Sequence, residues 1–209
     1  MKKAFTMLEL ILVIVIVGIL SFALVNGWER NTLREAADQV VNHIRYTQHL
    51  AMQDDKFDPA DPTWFNKRWQ IRFPRTTIAG NLIHYYEVFR DENKQGNSDA
   101  NEEAIDPLTG QNIGDGVAAI ANISDDALVN LTQQYGVANV AGTCVIGGAF
   151  RTIAFDSVGR PYLDVYTNTY ANLLAVGGCT IILTDNQART VTITVQPETG
   201  YTSITAENY

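Results

Sequence analysis

The chain has 209 residues, 46% of them hydrophobic and 10% aromatic, a composition that supports a folded core and excludes a disordered polymer. Its formal net charge of -8 at pH 7 argues against coating nucleic acid or acidic lipid as its main business. Once the apolar start is set aside, roughly 180 residues remain, which suits one soluble domain.

The first stretch, MKKAFTMLELILVIVIVGILSFALV, sets Lys2 and Lys3 ahead of an apolar run whose sole ionisable side chain is Glu9. From Phe5 to Val25 the run spans 21 residues, about 31 Å as a helix, enough to cross a bilayer core with the lysines on the cytoplasmic side. A carboxylate there costs on the order of 2.5 kcal/mol or more unless something pairs with it. An ordinary signal anchor would share this hydropathy, and Ser21-Phe22-Ala23 has the small-x-small spacing of a signal peptidase site. Neither accounts for Glu9.

After Val25 the pattern becomes amphipathic. Leu33, Ala36, Ala37, Val40, Val41, Ile44, Leu50 and Ala51 recur at three- and four-residue steps, while Glu29, Arg34, Glu35, Asp38, Asn42 and Arg45 fill the other face. With Gly18 and Asn26-Gly27 as places to bend, the pattern predicts one long helix from Phe5 to about Gln53. Its first half (5–25) is a transmembrane or filament-core segment and its second (26–54) packs on a head spanning 55–209. Pro59 and Pro62 end it.

From Trp64 the period is two. Trp69, Ile71 and Phe73 alternate with polar Gln70 and Arg72 in a strand that Pro74 terminates, and Leu82–Arg90 reads as a second strand. Residues 91–126 carry nine acidic side chains against Lys94 alone, the signature of an exposed insertion. Ser124–Leu128 resembles a capped short helix. Short strands follow at Phe150–Phe155, Tyr162–Tyr166, Cys179–Thr184, Arg189–Val195 and Tyr201–Ile204, separated by turns. Connections this short require antiparallel pairing. The fold class expected is α+β: a long N-terminal helix, transmembrane then amphipathic, packed on an antiparallel β-sheet head.

No catalytic set emerges, and the chain reads as a non-enzyme. His43 and His49 lie about 120° apart on the helix and share no metal face, and His84 falls in an aromatic strand. Asp91, Asn93, Gln95, Asp99 and Glu102, with Gly96 at the sixth place, stand at the intervals of a calcium loop, so Ca²⁺ is the one candidate cofactor. Trp64–Arg75 interleaves four basic with four aromatic residues. This is either a stacking surface for nucleic acid or, more commonly, a strand with buried aromatics and solvated cations.

The pattern KKAFTMLELILVIVIVGIL resembles the class III signal of type IV pilins and type II secretion pseudopilins. That resemblance implies cleavage between Ala4 and Phe5 by a prepilin peptidase, with 1–4 as the leader, N-methylation of Phe5, and Glu9 as the carboxylate at the fifth mature position. There it can neutralise the Phe5 amine of a neighbouring subunit. The family usually has Gly before the cut, where this chain has Ala4. ADQVVNHIRYTQHLAMQDDK, IAFDSVGRPY and ARTVTITVQPETGYTSI are similar to the GspH/FimT group of minor pilins and pseudopilins. The implied partners are the peptidase, other pilin subunits and an inner-membrane assembly platform, with the head in the periplasm. Cys144 and Cys179 then sit in an oxidising compartment, either bridged or as two buried thiols. The alternative is a membrane-tethered periplasmic binding or adhesive module, calcium-dependent or not, that never polymerises.

Overall fold

A computed structural model describes residues 6–26, 31–114, 129–144, 152–165, 172–174 and 176–209. The chain divides into two compact units, Met1–Asn31 and Thr32–Tyr209. The first holds helix α1 (Met7–Asn26), whose described side chains, from Met7 to Phe22, are all exposed. Helix α2 (Thr32–Gln53) opens the second unit. Where one helix from Phe5 to Gln53 was expected there are two, and residues 27–30 lie outside the described residues.

The transmembrane expectation is corrected: among the described residues no helix is long and apolar enough to cross a membrane. In α2 the bar is polarity, since Arg34, Glu35, Asp38, Asn42 and Arg45 interrupt its apolar residues.

The buried stripe of α2 comprises Leu33, Ala36, Ala37, Val40, Val41, Ile44 and Ala51, with Leu50 packed at its margin. It lies against two antiparallel sheets. The first has the order β4-β1-β6-β7, built from β1 (Trp69–Arg72), β4 (Glu87–Arg90), β6 (Thr152–Phe155) and β7 (Pro161–Tyr162). Ile71 stands opposite both Val88 and Ile153, a row of buried β-branched side chains in the same core cluster as the α2 stripe. The second sheet has the order β10-β9-β8-β5, from β5 (Val137–Gly142), β8 (Cys179–Asp185), β9 (Thr190–Val195) and β10 (Thr202–Asn208). Its inward row pairs Ile181 with Ile193 and Leu183 with Val191, and strict alternation of burial along β8 and β9 shows one wet and one dry face.

An open edge strand invites unwanted pairing, and at β10 helix α2 reaches the margin. Arg45 donates from Nε and Nη2 to the Thr202 carbonyl at 3.2 and 2.7 Å, and Arg34 pairs with Glu207. The edge of β4 is covered by the acidic segment. Arg90 N–H donates to Glu102 O at 3.1 Å, Ala104 N–H to Val88 O at 2.8 Å and Val88 N–H to Ile113 O at 2.7 Å. The insertion is therefore not a loose exposed loop through its described part. Ser98, Glu102, Glu103, Ala104, Asp106 and Ile113 are buried, because a strand with unsatisfied amides needed them as partners.

The remaining differences from expectation are local. Leu82–Arg90 is not one strand: β3 (Asn81–His84) turns back on β2 (Arg75–Ile78) as a hairpin, and Tyr85-Tyr86 carries the chain over to β4. Gln70 does not point to solvent; it is fully buried, in register with Phe89 and Ala154, because the outer face of this sheet is also covered. Leu131–Tyr135 forms a short helix α3 capped by the Asn130 side chain on Gln133 N–H at 2.8 Å. The helix expected at Ser124–Leu128 lies outside the described residues, as do Phe150, Arg151 and Tyr166.

Candidate functional site

At the start of α1, Thr6 donates from its backbone N–H and its hydroxyl to Glu9 Oε2, each at 3.0 Å. Glu9 N–H donates back to Thr6 Oγ1 at 3.3 Å. This is a reciprocal capping box, T-x-x-E, which satisfies amides that a helix start leaves open. The Thr6 backbone and then side-chain hydrogen bonds hold the Glu9 carboxyl below its usual range, so it stays ionised. On both sides of it in sequence, large apolar residues from Met7 to Phe22 are 47–82% exposed all round the helix. Ala4 and Phe5 lie outside the described residues.

In the head, the segments that carry the family resemblance converge on one side chain. Gln48 Nε2 donates to Gly159 O at 2.8 Å and to Thr199 O at 2.7 Å, joining α2 to the β6–β7 turn and the β9–β10 turn. Gly200, at φ 64°, lies so close beneath that an added Cβ would come within 2.6 Å of Gln48 Nε2 and 2.8 Å of Gly159 O. The two sheets share a second device: Asp156 and Asp185 each accept from backbone N–H two and four residues on, and each binds the arginine at the fourth place through Nε, Arg160 at 2.8 Å and Arg189 at 2.7 Å. Cys144 and Cys179 form a disulfide with Cα atoms 4.9 Å apart, both buried.

The calcium-type residues come together, but on one another. Asp91 accepts Gln95 N–H at 3.0 Å and Gly96 N–H at 2.7 Å. Glu102 accepts Asn93 N–H at 3.1 Å through Oε1 and Asp99 N–H at 3.3 Å through Oε2, and Asp99 accepts the Asn93 amide at 2.6 Å. The loop's own donors thus take up oxygens a cation would need, and among the described residues no group of three or more His, Cys, Asp or Glu is placed to hold a metal ion. Lys94 leaves the loop to bind Asp61 at 2.6 Å, which drives the Asp61 carboxyl far below its ordinary value.

Apart from exposed Arg75, the basic and aromatic stretch 64–75 is buried or half-buried. Arg68 is buried, its guanidinium 4.1 Å from the Tyr162 ring centre and 5.0 Å from that of Trp64. Arg72 pairs with buried Glu87, and Lys67 with Asp61. With Lys67, Arg68 and Arg72 matched to acids and rings, little of the stretch's charge is left for phosphates. Of the histidines, His49 is exposed, His84 is buried with its backbone N–H on Thr132 Oγ1 at 2.9 Å, and His43 is buried beside Tyr86 and Asp106. A hollow of about 20 Å³ beside Trp64 and Trp69 has room for a single water. In comparison with known proteins, the chain matches no family model, no curated protein and no solved structure.

Proposed function

We propose that the chain is a structural subunit of a type IV pilus or type II secretion pseudopilus, of the minor kind, processed between Ala4 and Phe5 and assembled through α1. The observation that carries this is a helix apolar on every side with one ionised carboxylate in its first turn. A face-specific partner would cover one stripe, whereas a bundle of like helices covers the whole circumference. Glu9 then meets the Phe5 amine that cleavage creates on a neighbour, and the head, stapled by its disulfide, stands on the periplasmic side. Prepilin peptidase, other pilin subunits and an assembly platform are the partners, and the force for assembly comes from a separate ATPase.

The head supports the same assignment through Gln48, where the segments similar to the GspH/FimT group meet. The test is the mass of the native N-terminus. Methylated Phe5 is the expected first residue, and a mature chain beginning at Met1 or at Leu24 overturns the proposal. A calcium-dependent binding module is the rival. Calorimetric titration of the chain with Ca²⁺ is expected to give a flat trace, since the loop's oxygens already accept hydrogen bonds; saturable heat would favour the rival.

A further inference from the structure

Residues 105–112 form a small closed turn. Asp106 N–H donates to Gln111 O and Gly110 N–H to Asp106 O, both at 2.8 Å. Leu108 N–H donates to Asp106 Oδ1 at 2.7 Å, and Ile105 bridges Asn112. At its base the turn is sewn to the sheet through Ala104 and Ile113. Two polar contacts hold its body against α2. Tyr46 Oη donates to Ile105 O at 2.9 Å, and the His43 ring has Nε2 3.8 Å from Asp106 Oδ2 and Nδ1 2.7 Å from Tyr86 Oη. His43 and Asp106 are 6% and 2% exposed, so a charge on the ring has almost no water to meet.

We propose that this turn is an acid-released flap, latched to α2 by the buried His43–Asp106 contact, whose opening frees Ile105 and the 91% exposed Leu108 to move as a unit. The flap is built to swing: its internal hydrogen bonds close on themselves, its hinge is the sewn base, and of its two contacts with α2 the His43 ring is the one that titrates between pH 5.5 and 7.5, beside the Tyr46–Ile105 hydrogen bond. Among the described residues the ionisable groups facing His43 are Asp106 from the flap and Tyr86 from the β3–β4 link, and no lysine or arginine pairs with either ring nitrogen or with Asp106. Burial lowers the His43 pKa more than the Asp106 charge raises it. Acid therefore disfavours the closed form, and lifting the flap hydrates the imidazolium. The inference stands whether or not the chain assembles into a filament.

The experiment is pulsed electron spin resonance on the full chain, kept soluble by a non-ionic detergent, with spin labels at Leu108→Cys and His49→Cys, both exposed positions; the native cysteines are already bonded. Opening coupled to uptake of one proton raises the displaced fraction at pH 5.5 over that at pH 7.5 by at most about tenfold, one unit below the ordinary imidazole value. His43→Gln, which donates without titrating, is expected to abolish the change. Asp106→Asn, which keeps the acceptor for Leu108 N–H but removes the charge that favours imidazolium, is expected to enlarge it. A distance distribution identical at the two pH values, the same response in His43→Gln, or a smaller one in Asp106→Asn overturns the proposal.

Discussion

Gly200→Ala puts a measurable load on the junction that ties α2 to the head's two turns. At φ 64° a side chain is strained, and the new Cβ would lie 2.6 Å from Gln48 Nε2, 2.8 Å from Gly159 O and 2.9 Å from Phe155 Cε1. The left-handed conformation costs about 1–2 kcal/mol with a side chain. Displacing Gln48 weakens its two bonds to Gly159 and Thr199, about 1 kcal/mol each. Reduced freedom of the unfolded chain returns about 0.4–1 kcal/mol, leaving a net loss of about 2–3 kcal/mol. In a head of this size each kcal/mol moves Tm by about 2–4 °C, so calorimetry should find a fall of about 5–12 °C. The control is Gly80→Ala: φ is 83°, yet nothing lies within 4 Å of the added Cβ, so only backbone strain remains, about 1 kcal/mol. Equal losses at the two sites would refute the keystone role of the Gln48 junction.

Replacing both Cys144 and Cys179 with Ser opens a loop of sequence separation 35; loop-closure entropy puts the loss at about 4 kcal/mol, checked by denaturant unfolding against the parent. Asp185 supplies an acid limb to the stability curve. Burial raises its pKa, but the Arg189 side chain and the N–H groups of Arg189 and Gln187 outweigh that and hold it below its ordinary value. A depressed folded pKa means the contribution is present above the unfolded value and lost as pH falls through the folded one. Asp185→Asn should therefore show a shallower loss of stability below about pH 4 than the parent. Thr6→Ala removes the cap from α1 at about 1 kcal/mol and should fray the first turn; under the proposed function it leaves filament assembly in place, whereas Glu9→Gln blocks assembly.

What was readable beforehand was periodicity. The α2 stripe from Leu33 to Ala51 is a 3.6-residue signal over many turns, and the alternation in Cys179–Asp185 and Thr190–Val195 is a two-residue signal over one dry face; both survive because burial is on one side only. Gln70 shows where that signal stops. Strand β1 lies between two neighbours and under cover on both faces, so a polar residue in an alternating run carried no information about solvent. The split of Leu82–Arg90 is not written in an apolar run, which does not record where its face reverses; the hairpin's mark is the turn at Ala79-Gly80, both at positive φ. The insertion looked exposed because carboxylates outnumber cations there. Among the described residues, Asp91, Asp99, Glu102 and Asp106 instead accept from the loop's own amides, and its backbone completes β4.

Glu9 shows how a local signal can hide behind a distant one. A lone acid in an apolar run seemed to require a partner from outside the chain, yet Thr6, three residues before it, already supplies two donors to one oxygen. Thr-x-x-Glu ahead of an apolar run is the capping-box signature, and it was legible in Thr6-Met7-Leu8-Glu9. The carboxylate's bare presence therefore no longer calls for a neighbour's amine. Capping uses Oε2, however, and leaves the helix's real difficulty untouched: at about 25 cal/mol per Å², exposed side chains from Met7 to Phe22 are a standing demand for apolar cover that a compact head beginning at Thr32 already satisfies for itself with α2. The need for cover along α1, more than the charge at its start, is what argues for assembly with other helices.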